Sequence, residues 1–218
     1  TWAANPAHFV RDPAFGWGFY GHRAHLYRAT EPHEGFQILR RWVGKYRLDH
    51  FVVTSNVDGQ FQKAGFGEGK VLEVHGSIHF LQCLAPCTDE IWPNMEEIQV
   101  DNETMRAMEI PRCIRCGGVA RPNILMFGDF SWLSHRTDLQ ENAFENFLEE
   151  NMGRRMVVVE MGAGTAIPTI RSLSERLGRR QGVTVVRINP REPWIDSPHL
   201  SIPEGSLAAL RAIDAMLT

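Results

Sequence analysis

Apolar positions recur along this chain at two periods, and the switching between them sets the order of elements. Phe36, Ile38, Leu39, Trp42 and Val43 fall at helical spacing while Arg40, Arg41 and Lys45 interrupt them, which predicts an amphipathic helix after Glu31-Pro32-His33. Residues 51–54, Phe-Val-Val-Thr, are short, β-branched and apolar, the pattern of a buried strand. Residues 71–74 predict a second strand ending at His75-Gly76, and residues 124–127 a third. An exposed amphipathic helix is predicted over 138–151. The fully apolar run 156–159 predicts a strand, followed by Gly162-Ala163-Gly164 and a helix through Arg171 and Leu177. The last strand is expected at 183–188 and the last helix at 207–217. Strand and helix alternate, so the fold class is α/β, with a parallel sheet carrying helices on both faces. Trp2, Phe9, Phe15, Trp17, Phe19 and Tyr20 cluster early and predict the core of a small helical segment near residues 1–31.

Four cysteines break this pattern. They form two close pairs, Cys83-x-x-x-Cys87 and Cys113-x-x-Cys116, and no cysteine lies outside them. Two pairs at ligand spacing are what a tetrahedral thiolate site for zinc requires, and a disulfide within each pair is the alternative. The 25 residues between the pairs exceed the about 15–20 usual in zinc ribbons. That insert, around residues 92–109, is acidic and predicted to be partly helical. The chain therefore divides into residues 1–79 with 120–218, the α/β part, and residues 80–119, a zinc-binding module. Paired metal-type cysteines suit a reducing, cytoplasmic setting. At 218 residues, 43% of them hydrophobic, the chain can bury a substantial core. A net charge of −3 argues against direct nucleic-acid binding. No apolar run reaches spanning length, so no membrane partner is expected. The first residue is Thr1 rather than Met, which is read as processing or truncation.

In an open parallel sheet, ligands collect beyond the carboxyl ends of the strands. Here those ends carry Thr54-Ser55-Asn56-Val57-Asp58-Gly59, His75-Gly76, Gly162-Ala163-Gly164-Thr165 and Asn189-Pro190-Arg191-Glu192. The four loops are expected to ring one crevice. Asn and Asp side chains suit ribose hydroxyls, and closely spaced glycines let backbone N–H groups approach phosphate. Asn56 and Asp58 also suit the capping of a following helical turn. His79, four positions past His75, is read as structural.

Thr54-x-Asn56-Val57-Asp58-Gly59, with Gln62-x-Ala64-Gly65 behind it, resembles the Thr-Gln-Asn-Ile-Asp-Gly motif of the sirtuins, the NAD-dependent protein deacylases. Leu72-Glu73-Val74-His75-Gly76 resembles the segment holding their catalytic histidine, and the cysteine pairs resemble their structural zinc site. The run Arg121-Pro122-Asn123-Ile124-Leu125-Met126-Phe127-Gly128-Asp129 resembles the segment that meets their substrate peptide. The Gly162 loop and Ile188-Asn189-Pro190 resemble their late nucleotide-binding loops. The likeness runs in order from Thr54 to the end of the chain.

The resemblance implies a Rossmann-like sheet, the cofactors NAD and zinc, and an acyl-lysine protein or peptide as partner. His75 would be the catalytic base. Ser55, Asn56, Asp58, Gly162, Ala163, Gly164 and Asn189 would hold the dinucleotide. Ile124 and Phe127 would line the acyl-lysine channel, and Gly128-Asp129 would pair the peptide backbone. Cys83, Cys87, Cys113 and Cys116 would bind zinc. Three departures stand out. Nothing before Thr54 matches the sirtuin Gly-Ala-Gly-x-Ser or Asp-Phe-Arg motifs, so the first βα unit is expected to be missing. Ser55 stands where sirtuins carry Gln, and Gly162-Ala163-Gly164 replaces a Gly-Thr-Ser. The implied function is NAD-dependent lysine deacylation; the alternatives are an NAD hydrolase or ADP-ribosyltransferase, or a non-catalytic NAD- or ADP-ribose-binding fragment.

Overall fold

The computed structural model describes residues 4–217. Trp2, assigned above to the aromatic cluster, lies outside them. In chain order the elements are α1 (Ala7–Arg11), α2 (Pro13–Ala29), α3 (Glu34–Lys45), β1 (Val52–Thr54), α4 (Gln60–Lys63), β2 (Val71–Glu73), β3 (Gly76–Cys83), β4 (Trp92–Pro93), β5 (Val100–Asp101) and β6 (Arg106–Ala107). Then follow β7 (Ala120–Ile124), α5 (His135–Glu150), β8 (Met156–Met161), α6 (Thr169–Gly178), β9 (Val183–Ile188), β10 (Leu200–Ile202) and α7 (Ser206–Leu217). Helix starts follow local chemistry. Pro13 opens α2 while the Asp12 carboxylate accepts from Phe15 N–H, and His33 Nδ1 accepts from Gly35 N–H at the head of α3.

The parallel strands form two groups. β1 pairs with β2, and β8-β9-β10 form a three-stranded parallel sheet, with β10 an addition that the sequence pattern did not predict. Among the described residues β1 and β8 each have a single strand neighbour. They nevertheless share one core, where Val53, Met156 and Val158 pack with Leu72, Phe144, Phe147 of α5 and Leu177 of α6. On another face of β1-β2, Phe36 and Leu39 of α3 join Phe61, Ala64, Phe66 and Val71. Helices thus cover both faces, as expected for α/β architecture. Across β8 and β9 the buried Glu160 and Arg187 stand opposite one another and pair at 2.6 Å, the Ser174 hydroxyl also donating to Glu160.

The remaining strands are antiparallel. β3 lies between β4 and β7, running from Gly76↔Ile124 at one end to Cys83↔Ala120 at the other. This revises the strand expected at 124–127: the strand occupies Ala120–Ile124 and belongs to the cysteine-bearing sheet, not the parallel one. The insert expected to be partly helical is instead extended, with β5 and β6 forming a short hairpin. Phe9, Trp17, Tyr20 and Ala24 of the early helices share their core with Ile78, Leu81, Ala120 and Ile124. Trp17 also donates its indole N–H to Ala120 O at 2.8 Å. The early aromatic cluster therefore supports β3 and β7. Among the described residues no helix is long and apolar enough to cross a membrane.

Candidate functional site

His75 sits in the two-residue turn between β2 and β3, half-buried. Three neighbours fix it. Its carbonyl accepts from Leu125 N–H at 2.9 Å, and its Nδ1 lies 3.3 Å from Ser55 O. The next residue, Gly76, has φ +74, and a Cβ there would stand 2.1 Å from Asn123 O, so only glycine lets β3 close on β7 beside the histidine. A carbonyl can only accept, so Nδ1 carries the proton and the Nε2 lone pair is left free. Glu73 does not take part. Its carboxylate turns inward to Arg136 at 2.6 Å, and its backbone N–H and O are bound by Gln140 and Thr137 of α5. The buried Glu73 is a strut for the strand end that precedes His75.

Beside His75 runs the loop after β1. The Asn56 side chain is exposed and, among the described residues, has no partner, while its N–H donates to Thr54 Oγ1. One oxygen of Asp58 accepts at 3.0 Å from the N–H of Gln60, the first residue of α4, whose N-cap position is taken by Gly59. Asp58 thus closes a turn at the head of α4, and among the described residues its second oxygen has no partner.

A second group of loops forms a cleft of about 360 Å³ lined by Gly162, Gly164, Thr165, Ala166, Asn189, Arg191 and Glu192. Its volume suits a nucleoside-sized group. Asn189 builds this cleft more than it presents itself. Its amide N–H donates to Ala163 O, and its Oδ1 accepts from the N–H groups of Arg191 and Glu192. Arg171 of α6 ties the same two loops together through Ala163 O, Glu192 O and Trp194 O. The Glu192 carboxylate accepts from Thr165 Oγ1 at 2.6 Å and Thr165 N at 3.0 Å, and these bonds hold its pKa below the usual value. His75, Asn56 and Asp58 do not line this cleft; they stand at the carboxyl ends of β1 and β2, and the cleft at those of β8 and β9.

The segment after β7 alternates inward and outward. Ile124 and Met126 are buried in the core, whereas Leu125 and Phe127 are 38% and 48% exposed. Ile124 is therefore a core residue and not a channel wall; Leu125 takes the outward place. The Asp129 carboxylate is buried against Arg121 at 2.5 Å and accepts from Met126 and Ser131 N–H groups, so it shapes the loop from within. The Phe127 N–H already donates to Ala4 O, which leaves exposed Gly128 with φ +67 beside it.

The four cysteine sulfurs lie within 4.8 Å of one another, with Cys83–Cys116 at 3.8 Å and Cys87–Cys113 at 3.6 Å. A tetrahedron with arms of about 2.3 Å has edges of about 3.8 Å, so the spacing fits one zinc. A hydrogen bond with Cys116, then burial, pushes the Cys87 thiol up to about 12. Burial also acts to raise Cys113, but hydrogen bonds from the Cys116 and Arg115 backbone outweigh it and bring that thiol down to about 7. The cysteines are unbridged, and four thiolate donors leave no open position for chemistry.

Thr165 stood in the strand-end loop read from the sequence, whereas the tie that Arg171 makes between the two loops had no signal in periodicity or motif spacing. Leu125 could have been found from the strand alternation of 124–127.

The sequence profile of the Sir2 family matches residues 2–159. An NAD-dependent protein deacylase of Mycobacterium tuberculosis (strain H37Rv) is 30% identical over 206 residues, covering 93% of this chain and 78% of that protein. One from Aquifex aeolicus (strain VF5) is 28% identical over 190 residues, covering 87% of this chain and 70% of that protein. Among solved structures, a Sir2 homologue mutant in complex with ADP-ribose superposes with a TM-score of 0.69 at 18% identity, covering 99% of this chain and 78% of that one. A Sir2 homologue–NAD complex gives 0.69, again at 18% identity, with 99% and 76% covered. At that identity the structures speak for the fold. The profile match, which spans most of the chain and takes in the Asn56 loop, His75 and all four cysteines, carries the assignment: this chain belongs to the Sir2 family.

Proposed function

We propose that this protein is an NAD-dependent deacylase acting on acylated lysines of proteins or peptides. The observation that carries the reading is the commitment of His75 Nδ1 to Ser55 O, which leaves Nε2 free as a proton acceptor at a strand end. Relatives named NAD-dependent protein deacylase, and a Sir2 structure titled as a complex with 2′-O-acetyl-ADP-ribose and a deacetylated p53 peptide, support it.

NAD fits the donor set: Asn56 and one Asp58 oxygen are free for ribose hydroxyls, and the Gly162–Glu192 cleft takes a nucleoside. Bound NAD supplies a ribose carbon that nicotinamide leaves and that the acyl oxygen attacks. His75 Nε2 accepts a proton from a hydroxyl of that ribose as the general base. Asn56 and Asp58 orient the ribose, and Glu192 accepts from the hydroxyls of the other one. Leu125 and Phe127 offer an apolar wall for the acyl-lysine stem, and Gly128 offers backbone groups to the peptide. Zinc serves the fold.

Incubation with NAD and an acetyl-lysine peptide is expected to yield nicotinamide, free lysine peptide and acyl-ADP-ribose by mass spectrometry. His75→Ala should lose this turnover and keep its zinc. Free ADP-ribose with the peptide untouched would assign the protein as an NAD hydrolase instead.

A further inference from the structure

We infer that His79 is a positioning residue for the loop that presents Asn56 and Asp58, an inference that rests on the ribose-binding role proposed for that loop. Three carbonyls of the loop are received by the β2–β3 segment. Ser55 O faces His75 Nδ1 at 3.3 Å, Val57 O accepts from Ile78 N–H at 3.0 Å, and Asp58 O lies 2.9 Å from His79 Nε2. The acceptor is again a carbonyl, so His79 donates from Nε2. This is the shorter of the two imidazole bonds, and it falls on Asp58 itself.

The ring acts by shape as well. Gly59 has φ +68, and a Cβ on it would stand 2.7 Å from His79 Cδ2 and 2.9 Å from Nε2. The imidazole edge therefore occupies the space beside Gly59, where the chain turns from the loop into α4. His79 is itself well placed to hold a position. Its carbonyl accepts from Asn94 N–H at 2.8 Å, and the buried Asn94 also donates its amide to Ile78 O at 3.1 Å. On the far side the loop is anchored by Gln60, whose amide reaches Tyr27 O and Thr30 O at the end of α2. Between these anchors, His79 is the side chain that fixes the carbonyl of Asp58. Its effect passes through the geometry of Asn56 and Asp58.

The two groups of loops allow a direct test with ligands instead of turnover. AMP carries one ribose and reaches only the Gly162–Glu192 cleft, whereas ADP-ribose carries a second ribose to the Asn56–Asp58 loop. His79→Ala is expected to weaken ADP-ribose binding about 3- to 10-fold, the worth of one hydrogen bond, and to leave AMP binding unchanged. His79→Gln, whose amide nitrogen can replace Nε2–H, should restore most of the loss. Ligand-observed NMR titration measures both affinities, and hydrogen exchange should rise over residues 55–60 in His79→Ala and recover in His79→Gln. Equal losses for AMP and ADP-ribose would mean general destabilisation and overturn the inference. Unchanged exchange and unchanged ADP-ribose affinity would overturn it too. A parent that binds AMP but shows no preference for ADP-ribose would instead sink the ribose-binding role of the loop, and the exchange data would still decide whether His79 holds it.

Discussion

At the scale of single residues, the chemistry of the site depends on which atom of each polar side chain is already engaged. Asn56, Asp58, His75 and Asn189 stand out as candidates in the sequence because they lie in loops at strand ends, where ligands collect. Their free atoms do not. Asn189 spends its amide on Ala163 O and on the following turn, and Asp129 spends its carboxylate on Arg121. Such engagement depends on backbone groups many residues away, which spacing does not encode. Glu192 engages both of its oxygens with Thr165 and still faces the cleft. It is half-exposed, its pKa is lowered by the hydrogen bonds from Thr165, and it lies on the wall of the cleft. A carboxylate so placed is a natural acceptor for ribose hydroxyls. Glu192→Ala should weaken AMP binding about tenfold by titration calorimetry, since hydrogen bonds to charged groups exceed neutral ones. Glu192→Gln should fall between. If both variants bind AMP as the parent does, the carboxylate only latches the loop to Thr165.

At the scale of elements, β3 joins the two functional regions, with His75 immediately before it and Cys83 as its last residue. Both ends were legible: the cysteine pairs by spacing, the histidine by its place after a short apolar strand. The course between them was less so. The eight-residue β3 carries a register shift between Ser77 and Leu81, and the long acidic insert forms a two-stranded hairpin where a helix was expected. Val100 and Asp101 pair with Ala107 and Arg106, and α2 packs against that hairpin. Tertiary packing decided that segment over its local composition. Zinc held by the four cysteines would pin the Cys83 end of β3. Elemental analysis should find one zinc per chain, and Cys116→Ala should lose it. Chelation should lower the melting temperature by about 10 °C or more, because structural zinc sites contribute folding energy directly. An undiminished melting temperature after complete metal removal would show that the aromatic core of α1 and α2 holds β3 and β7 unaided.

At the scale of the molecule, the strands and helices of the α/β part were legible because each carries its own period. Val183–Ile188 is found where the pattern put it, and α5 and α7 begin within a few residues of their predicted starts. The number of neighbours each strand has was not legible, since an apolar run of four reads the same in the middle of a sheet as at its border. Here Met156-Val157-Val158-Val159 borders a sheet among the described residues, and Val157 is 65% exposed while Val158 packs in the core. An apolar strand with one open hydrogen-bonding edge is a template for pairing with another chain. The 218-residue chain is therefore expected to self-associate with rising concentration. Val157→Lys places a charge on that border at little cost to the fold, so light scattering should fall while the melting temperature moves by no more than about 2 °C. Val158→Lys is the contrast: it buries the same charge in the core shared with Leu72 and Leu177 and should destabilise strongly. Undiminished association in Val157→Lys would clear the β8 border and direct attention to the exposed apolar side chains of Leu125, Phe127 and Phe130.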